Sequence, residues 1–391
     1  MTRRGGDRET RPLRVLLVGQ TPPPVHGQAV MLEMLAAAEY PGVRIHHVRM
    51  DLSHETGEIG RFAVVKIGRL LALIARTWVA RVRWRTPVLY YPPAGPNRIP
   101  MWRDIAFLLS TRWMFRRTVF HFHAAGVSEL YPRLGRPARA LFRLAYFDAD
   151  LAIRVGRLSP PDPARLRARQ ERVIPNACDD WTARLPGRGQ ILTGAVPTIL
   201  FAGILREAKG VLVLLEAAAM LRSSGRDFRV RFMGTFESHE FEGRMHRRVA
   251  DLGLADATEF LGLLSGIDKH SAYREADIFC LPTHFEAESA PLVLIEAMQW
   301  GLAIVATRWR GIPGMLEDEE SAVLVPVRAP AALAEAIGRL IADPDTARRL
   351  GRQARQTFER NHSTRSFHEA MQAVFTQVAR SEARQATPGG S

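Results

Sequence analysis

Two short aliphatic runs that each stop at a glycine, Leu13 to Gly19 (LRVLLVG) and Thr198 to Gly203 (TILFAG), constrain this chain more than any other feature. A run too short for a helix and apolar at nearly every position reads as a strand buried on both faces, as in a parallel sheet covered by helices. Each run opens a series of its own kind. Val43 to Val48, Val88 to Tyr91, Thr118 to His123 and Asp150 to Val155 follow the first, separated by helical stretches. Phe228 to Met233, Thr258 to Leu261, Ile278 to Leu281, Ala303 to Ala306 and Ala322 to Val325 follow the second. The pattern predicts an α/β protein of two doubly wound, Rossmann-like domains, joined near residues 185–197 where Pro and Gly interrupt it. Ligands of such sheets bind beyond the carboxyl ends of the strands, so an interdomain cleft is the expected active site. The expected boundaries are a disordered lead-in over 1–12, domains over 13–188 and 189–360, a helix over 361–380 that could pack back on the first domain, and a disordered tail over 381–391. After Asp343–Pro344 the chain reads as helix to about Arg380.

Charge narrows the partners. Lysine and arginine number 54 against 40 acidic residues, a net +14 that suits anionic ligands. Between Ile59 and Arg103 there is no acid, while Arg61, Lys66, Arg69, Arg76, Arg81, Arg83, Arg85, Arg98 and Arg103 are basic. The stretch FAVVKIGRLLALIARTWVARVRWR within it is broken too often by Lys and Arg to span a membrane. It reads either as a basic amphipathic helix lying on an anionic bilayer, around Leu70, Leu71, Ile74, Trp78 and Trp84, or as a helix packed on the sheet with a solvated basic face. The polar N-terminus lacks a leader pattern, and Cys178 and Cys280 form no CxxC pair, so buried thiols in a reducing, cytoplasmic compartment are expected.

The segment Ala276 to Met315 is the sharpest in chemical terms. A strand (DIFCLP) ends at a loop bearing Glu286 and Glu288, and Pro291 is suited to the first turn of the helix that follows. Glu288 precedes that helix and Glu296 lies inside it, flanking the free backbone N–H groups of its first turn. Amides near Leu292 and Val293 can receive a diphosphate, Glu296 can accept from ribose hydroxyls and Glu288 from sugar hydroxyls. Equally, one glutamate could be solvated and the other a helix cap. Lys209 sits at a helix start, against the dipole, which points either to a bound anion or to a merely solvated lysine. His121 and His123 flank Phe122 on one face of a strand end, as binding groups or as core histidines.

The Glu-x7-Glu arrangement, followed by EAM, a glycine, a strand and a GIP turn, resembles the family 4 glycosyltransferases of the GT-B fold, over nearly the whole chain. LFAGILREAKG resembles that family's strand–Gly–Lys–Gly segment, VIPNACD its interdomain VIPNGVD, and FHFHAAG its strand-end histidine near the transferred sugar. PPPVHGQA stands where the family has its Gly-rich first loop, with Gly27 able to approach phosphates closely. The chain departs from the pattern at Ile204, where an arginine is usual (Arg206 is near), at Arg310 and Gly314 in RGIPG, and at Ala177.

The resemblance implies a retaining transferase acting without metal or other cofactor. It would move a sugar from a nucleotide-sugar donor to a glycan or lipid-linked acceptor, as in bacterial-type cell-surface polysaccharide or glycolipid synthesis. The acceptor domain would come first and the donor domain second. His123, Glu288 and Lys209 become the expected catalytic residues. Gly27, Gly203, Arg206, Lys209, Gly262, Leu263, Glu288, Leu292, Val293 and Glu296 become the expected donor contacts. The enzyme would be cytoplasmic, peripheral on the inner face of the cell membrane, with no nucleic-acid partner. A nucleotide-sugar epimerase or hydrolase on the same scaffold, and a non-catalytic anion-binding protein, are the competing readings.

Overall fold

The computed structural model describes residues 12–23, 26–51, 62–186, 192 and 196–386. The expected lead-in up to residue 11, part of the first loop (Pro24 and Val25), Ile59 and Arg61 of the basic stretch, and the tail from 387 lie outside the described residues. The chain forms two compact units: Met1–Arg154 with Pro161–Ile174 and His368–Ser391, and Val155–Pro160 with Pro175–Phe367.

The first unit holds β1 (Leu13–Gly19), β2 (Val43–Arg49), β3 (Val88–Tyr91), β4 (Arg117–Phe122), β5 (Leu151–Arg154) and β6 (Glu171–Val173). All pair in parallel in the order β2-β1-β3-β4-β5-β6. The edge strand β6 escapes a hydrophobicity reading because its three residues, ERV, are only partly buried or exposed. Tyr91, Phe107, Phe120, Phe122, Phe142 and Tyr146 fill the core beneath the helices Arg98–Thr111 and Arg136–Tyr146.

Into that core the helix Arg98–Thr111 sends a fully buried carboxylate, Asp104. Tyr91 and Tyr146 donate to it at 2.8 and 3.2 Å, the Ala94 amide at 2.7 Å, and Arg103 pairs with it at 2.7 Å. Burial pushes both phenols well above their ordinary pKa, so they remain donors. A charge taken from water is tolerated only when its lone pairs are met in this way.

The second unit holds β7 (Thr198–Ala202), β8 (Arg229–Met233), β9 (Thr258–Gly262), β10 (Ile278–Leu281), β11 (Ala303–Thr307) and β12 (Val323–Val325). They too are all parallel, in the order β12-β11-β10-β7-β8-β9. The strand order therefore reverses between β7 and β10, the point at which open α/β sheets bind ligands.

The units differ from the expected spans at three places, the first being Val155–Pro160, which counts with the second unit. The second unit takes up Pro175 rather than beginning at residue 189, because Asn176 donates to the Ala290 carbonyl at 2.9 Å and the Cys178 amide to His362 O at 3.1 Å. The C-terminal helical stretch is two helices, Pro344–Asn361 and Thr364–Ala386. They break where His362 turns in to the Asn176 carbonyl at 2.8 Å and Ser363 Oγ receives the Ser366 amide at 3.2 Å. From His368 onward the second of these helices counts with the first unit, where Tyr40 Oη meets His368 Nδ1 at 2.7 Å and Arg117 pairs with Glu382 at 3.1 Å.

Among the described residues no helix is long and apolar enough to cross a membrane. The helix Phe62–Trp84 turns Ile74 inward, with Leu70 and Trp84 half-buried against the core, and leaves Leu71, Trp78, Val79 and Val82 exposed. Arg81 is also engaged, donating to the Met114 carbonyl at 2.9 Å and lying over the Phe115 ring.

Replacing Asp104 with Ala removes the acceptor shared by Tyr91, Tyr146 and Ala94. It is expected to destabilise the first unit by about 3 kcal/mol, read as a lower urea midpoint at unchanged slope.

Candidate active site

At the switch point of the second sheet, the loops leaving β7 and β10 are pressed together by backbone that only glycine allows. Gly210 has φ +78°, and a Cβ there would stand 2.0 Å from the Pro282 carbonyl oxygen. The His284 amide donates to Ala208 O at 2.8 Å, tying the loops directly. Lys209, in the single turn Glu207–Lys209, thereby reaches Glu288: Nζ lies 2.6 Å from Oε2. Thr283 Oγ1 donates to the same oxygen at 2.9 Å. Glu288 is buried while Lys209 keeps some exposure, so the cation borders solvent and the carboxylate lies behind it. The lysine at the helix start thus has a partner within the chain.

Pro291 precedes the helix Leu292–Gln299 as its N-cap, in extended conformation, and no side chain caps this N-terminus. Leu292 and Val293 open the helix, and Glu296 follows one turn later. Glu296 receives Lys269 Nζ on Oε1 and Tyr273 Oη at 2.9 Å on Oε2. Both glutamates are therefore buried carboxylates held by a lysine and a hydroxyl group.

The loop between them is clamped from two sides. Asn176 Nδ2 holds the Ala290 carbonyl, and a Cβ on Gly311 would stand 1.9 Å from Ser289 O, so the RGIP turn lies flat against it. Arg310, where glycine is usual, keeps the left-handed backbone with φ +49°. Arg206 also belongs here. Its guanidinium lies 5.4 Å from the Phe285 ring centroid, Lys209 Nζ is 5.1 Å from the same centroid, and Arg206 pairs with Glu237 at 3.1 Å. Gly203, Gly234 and Gly262 end or follow three neighbouring strands with φ of +139°, +143° and +66°. A Cβ on Gly234 would meet Gly203 O at 1.9 Å, so these strand ends form a bare backbone shelf. Leu263 beyond it is exposed.

His123 and Gly27 belong to the first unit. Gly27 opens the helix Gly27–Ala37, behind His26, whose Nδ1 caps the Ala29 amide at 3.3 Å. His123 follows β4, its ring 3.9 Å from that of His121, so the two do share one side. Tyr90 Oη bonds His121 Nδ1, and burial, with His123 next to it, holds His121 well below its ordinary pKa and neutral. The turn after His123 is fixed by Asp162, which accepts from the Gly126 and Ser128 amides at 2.7 and 2.8 Å. Burial raises the Asp162 pKa against the pull of those amides.

Lys269, Tyr273, Thr283 and Gly234 were not indicated by the sequence reading. Of these only Gly234, following the strand Phe228 to Met233, carried a signal that could have found it. Among the described residues no three His, Cys, Asp or Glu side chains gather as metal ligands would.

The sequence model of the family described as glycosyl transferases group 1 matches residues 191–357. The chain is 34% identical over 168 residues to a D-inositol 3-phosphate glycosyltransferase of Saccharomonospora viridis, covering 41% of this chain and 38% of that protein. It is 28% identical over 275 residues to WcaL of Escherichia coli, a putative colanic acid biosynthesis glycosyltransferase, covering 63% of this chain and 67% of that protein. The matched part of this chain thus spans well under half the length of the first relative and about two thirds of the second. Among solved structures, HepE of Anabaena in complex with UDP is similar with a TM-score of 0.67 at 16% identity, covering 93% of this chain and 100% of that one. This likeness establishes the GT-B fold.

Two neighbouring substitutions separate the demands of the RGIP turn. Gly311→Ala drives a methyl into the Ser289 backbone and is expected to cost about 1–3 kcal/mol. Arg310→Gly relieves the left-handed residue and is expected to be neutral or up to about 1 kcal/mol stabilising. Denaturant midpoints of the two variants should move in these directions.

Proposed function

We infer, because residues 191–357 match the family model of the group 1 glycosyltransferases, that the chain transfers a glycosyl group with retention from a nucleotide-sugar to a glycan or lipid-linked acceptor. The observation that carries this reading is the pair of lysine-held carboxylates on either side of an uncapped helix N-terminus at the switch point of the second sheet. Anionic groups bind well at such a terminus, where amides and dipole act together.

The donor would place its diphosphate against the amides of Leu292 and Val293. Lys209 would then exchange Glu288 for the phosphate, and Glu288, still held by Thr283, would accept from sugar hydroxyls. Glu296 would accept from the ribose, and the shelf of Gly203, Gly234, Gly262 and Leu263 would receive the base through backbone groups. That HepE was solved with UDP supports a nucleoside diphosphate as the ligand class. In the reaction the anomeric carbon–phosphate oxygen bond breaks and a bond to the acceptor hydroxyl forms on the same face. The acceptor proton passes to the departing phosphate oxygen, whose charge Lys209 and the helix amides stabilise. Arg206, beside Lys209 at Phe285, supplies a second cation to the same end. For His123, whose ring packs on His121 and whose following turn is held on Asp162, the proposed role is toward the transferred sugar. Lys209 takes the place a metal ion would otherwise fill.

The acceptor reading extends to the surface of the first unit. Between residues 62 and 147 the only acids are Asp104, which is buried, and Glu129, which is half-buried. The exposed Leu71, Trp78, Val79 and Val82 are joined by Ile99, Trp102 and Trp113, with Arg83, Arg85 and Arg116 also exposed. Such a surface would dock on an anionic membrane, each cation contributing about 1 kcal/mol near the headgroups.

Three measurements test these proposals. Activity should persist in excess EDTA, and Lys209→Met should weaken nucleoside-diphosphate binding by about ten- to a hundredfold while sparing the nucleoside. Loss of activity to EDTA with recovery on added magnesium or manganese would reject the role given to Lys209. The protein should sediment with phosphatidylglycerol vesicles and not with phosphatidylcholine vesicles. Release is expected with salt, and with Arg83→Glu and Arg85→Glu together with Val79→Ser and Val82→Ser.

A further inference from the structure

Glu296 is held by the helix Gly266–Glu275, which carries Lys269 and Tyr273 four residues apart and so on one face. Lys269 takes Oε1 and Tyr273 takes Oε2, leaving each carboxylate oxygen with capacity to accept once more. Tyr273 is fully buried and its pKa is pushed well above the ordinary phenol value, so it stays protonated and donates to the carboxylate. The Glu296 side chain is 7% exposed and that of Lys269 29%, which puts the ammonium at the edge of the site and the carboxylate beneath it. A carboxylate so buried loses most of its hydration and is met by these two donors instead. Held at both oxygens, it also cannot rotate to follow a ligand.

We propose that Lys269 is a positioning residue that fixes Glu296 for the vicinal hydroxyls of the donor's ribose and so makes the site selective for ribonucleotides over deoxyribonucleotides. The inference builds on the ribose role proposed for Glu296. A carboxylate aimed at a diol rewards both hydroxyls and is left partly unsatisfied when one is missing, which turns a fixed direction into discrimination. Without Lys269 the same side chain loses its anchor at Oε1 and is free to turn toward solvent, and its preference for the diol disappears.

The test compares Kd values by calorimetry for UDP and 2′-deoxy-UDP, GDP and 2′-deoxy-GDP, and ADP and 2′-deoxy-ADP, using whichever pair binds most tightly. The wild type should favour the ribonucleotide by about ten- to a hundredfold. Glu296→Ala should bring the ratio to about one. Lys269→Met should lower it by at least about tenfold at the ribonucleotide's expense, and Lys269→Arg should restore most of it. If Glu296→Ala leaves the ratio intact, the ribose role fails and the inference falls with it. Collapse with Glu296→Ala but not with Lys269→Met keeps the ribose role and overturns the inference. Equal weakening of both nucleotides by Lys269→Met marks a purely structural lysine and overturns it too. Should Lys269→Met not fold, as judged by circular dichroism, Tyr273→Phe deletes only the second anchor and should give the same loss of ratio.

Discussion

A carboxylate removed from water must be met by donors, and this requirement organises both halves of the molecule. Asp104 in the first unit and Glu288 and Glu296 in the second are buried, and each collects a cation and at least one hydroxyl donor. The difference lies in what surrounds them. Asp104 spends its lone pairs on two tyrosines, an arginine and a backbone amide inside an aromatic core, and it holds the helix Arg98–Thr111 to the end of β3. The two glutamates stand where the strand order reverses, with oxygens that can still accept and cations that border solvent. The same chemistry locks one place and leaves the other ready for exchange.

Glycine makes the second arrangement sterically possible. Gly210 lets the Lys209 turn rest on the end of β10, and Gly311 lets a distant turn rest on Ser289 between the glutamates. Neither contact leaves room for a β-carbon. The positions of Lys209 and Glu288 are therefore set by backbone packing, and their long side chains need to cover only the last few ångströms.

Most strands were legible in the sequence because a parallel sheet buried on both faces demands unbroken aliphatic runs, as in LRVLLVG and IFCL. The strand Glu171–Val173 was not, since at a sheet edge its ERV residues need not be apolar. The break at His362 was hidden because its cause, the Asn176 carbonyl, lies 186 residues away. At the site, Glu288 and Glu296 could be found from spacing within one helix–loop unit. Lys269 and Tyr273 could not, because their partner lies on another helix and no local pattern marks the pairing. The helix Phe62–Trp84 leaves two readings open for a different reason: it is apolar on several sides. Nothing local distinguishes Leu70, Ile74 and Trp84, which turn to the core, from Leu71 and Trp78, which do not.

The ion pair of Lys209 with Glu288 also changes what the site offers an anion. With its own carboxylate already against the ammonium, the site carries an internal counter-ion and presents less bare positive charge than the chain's net +14 suggests. Entry of an anion there is a displacement, driven by the difference between two attachments of one lysine. A ligand offering only charge must compete with a carboxylate held at 2.6 Å and backed by Thr283. Under the proposed function, one that also brings hydroxyl groups would give the displaced Glu288 a new partner, so that phosphate and sugar would be recognised as a single unit.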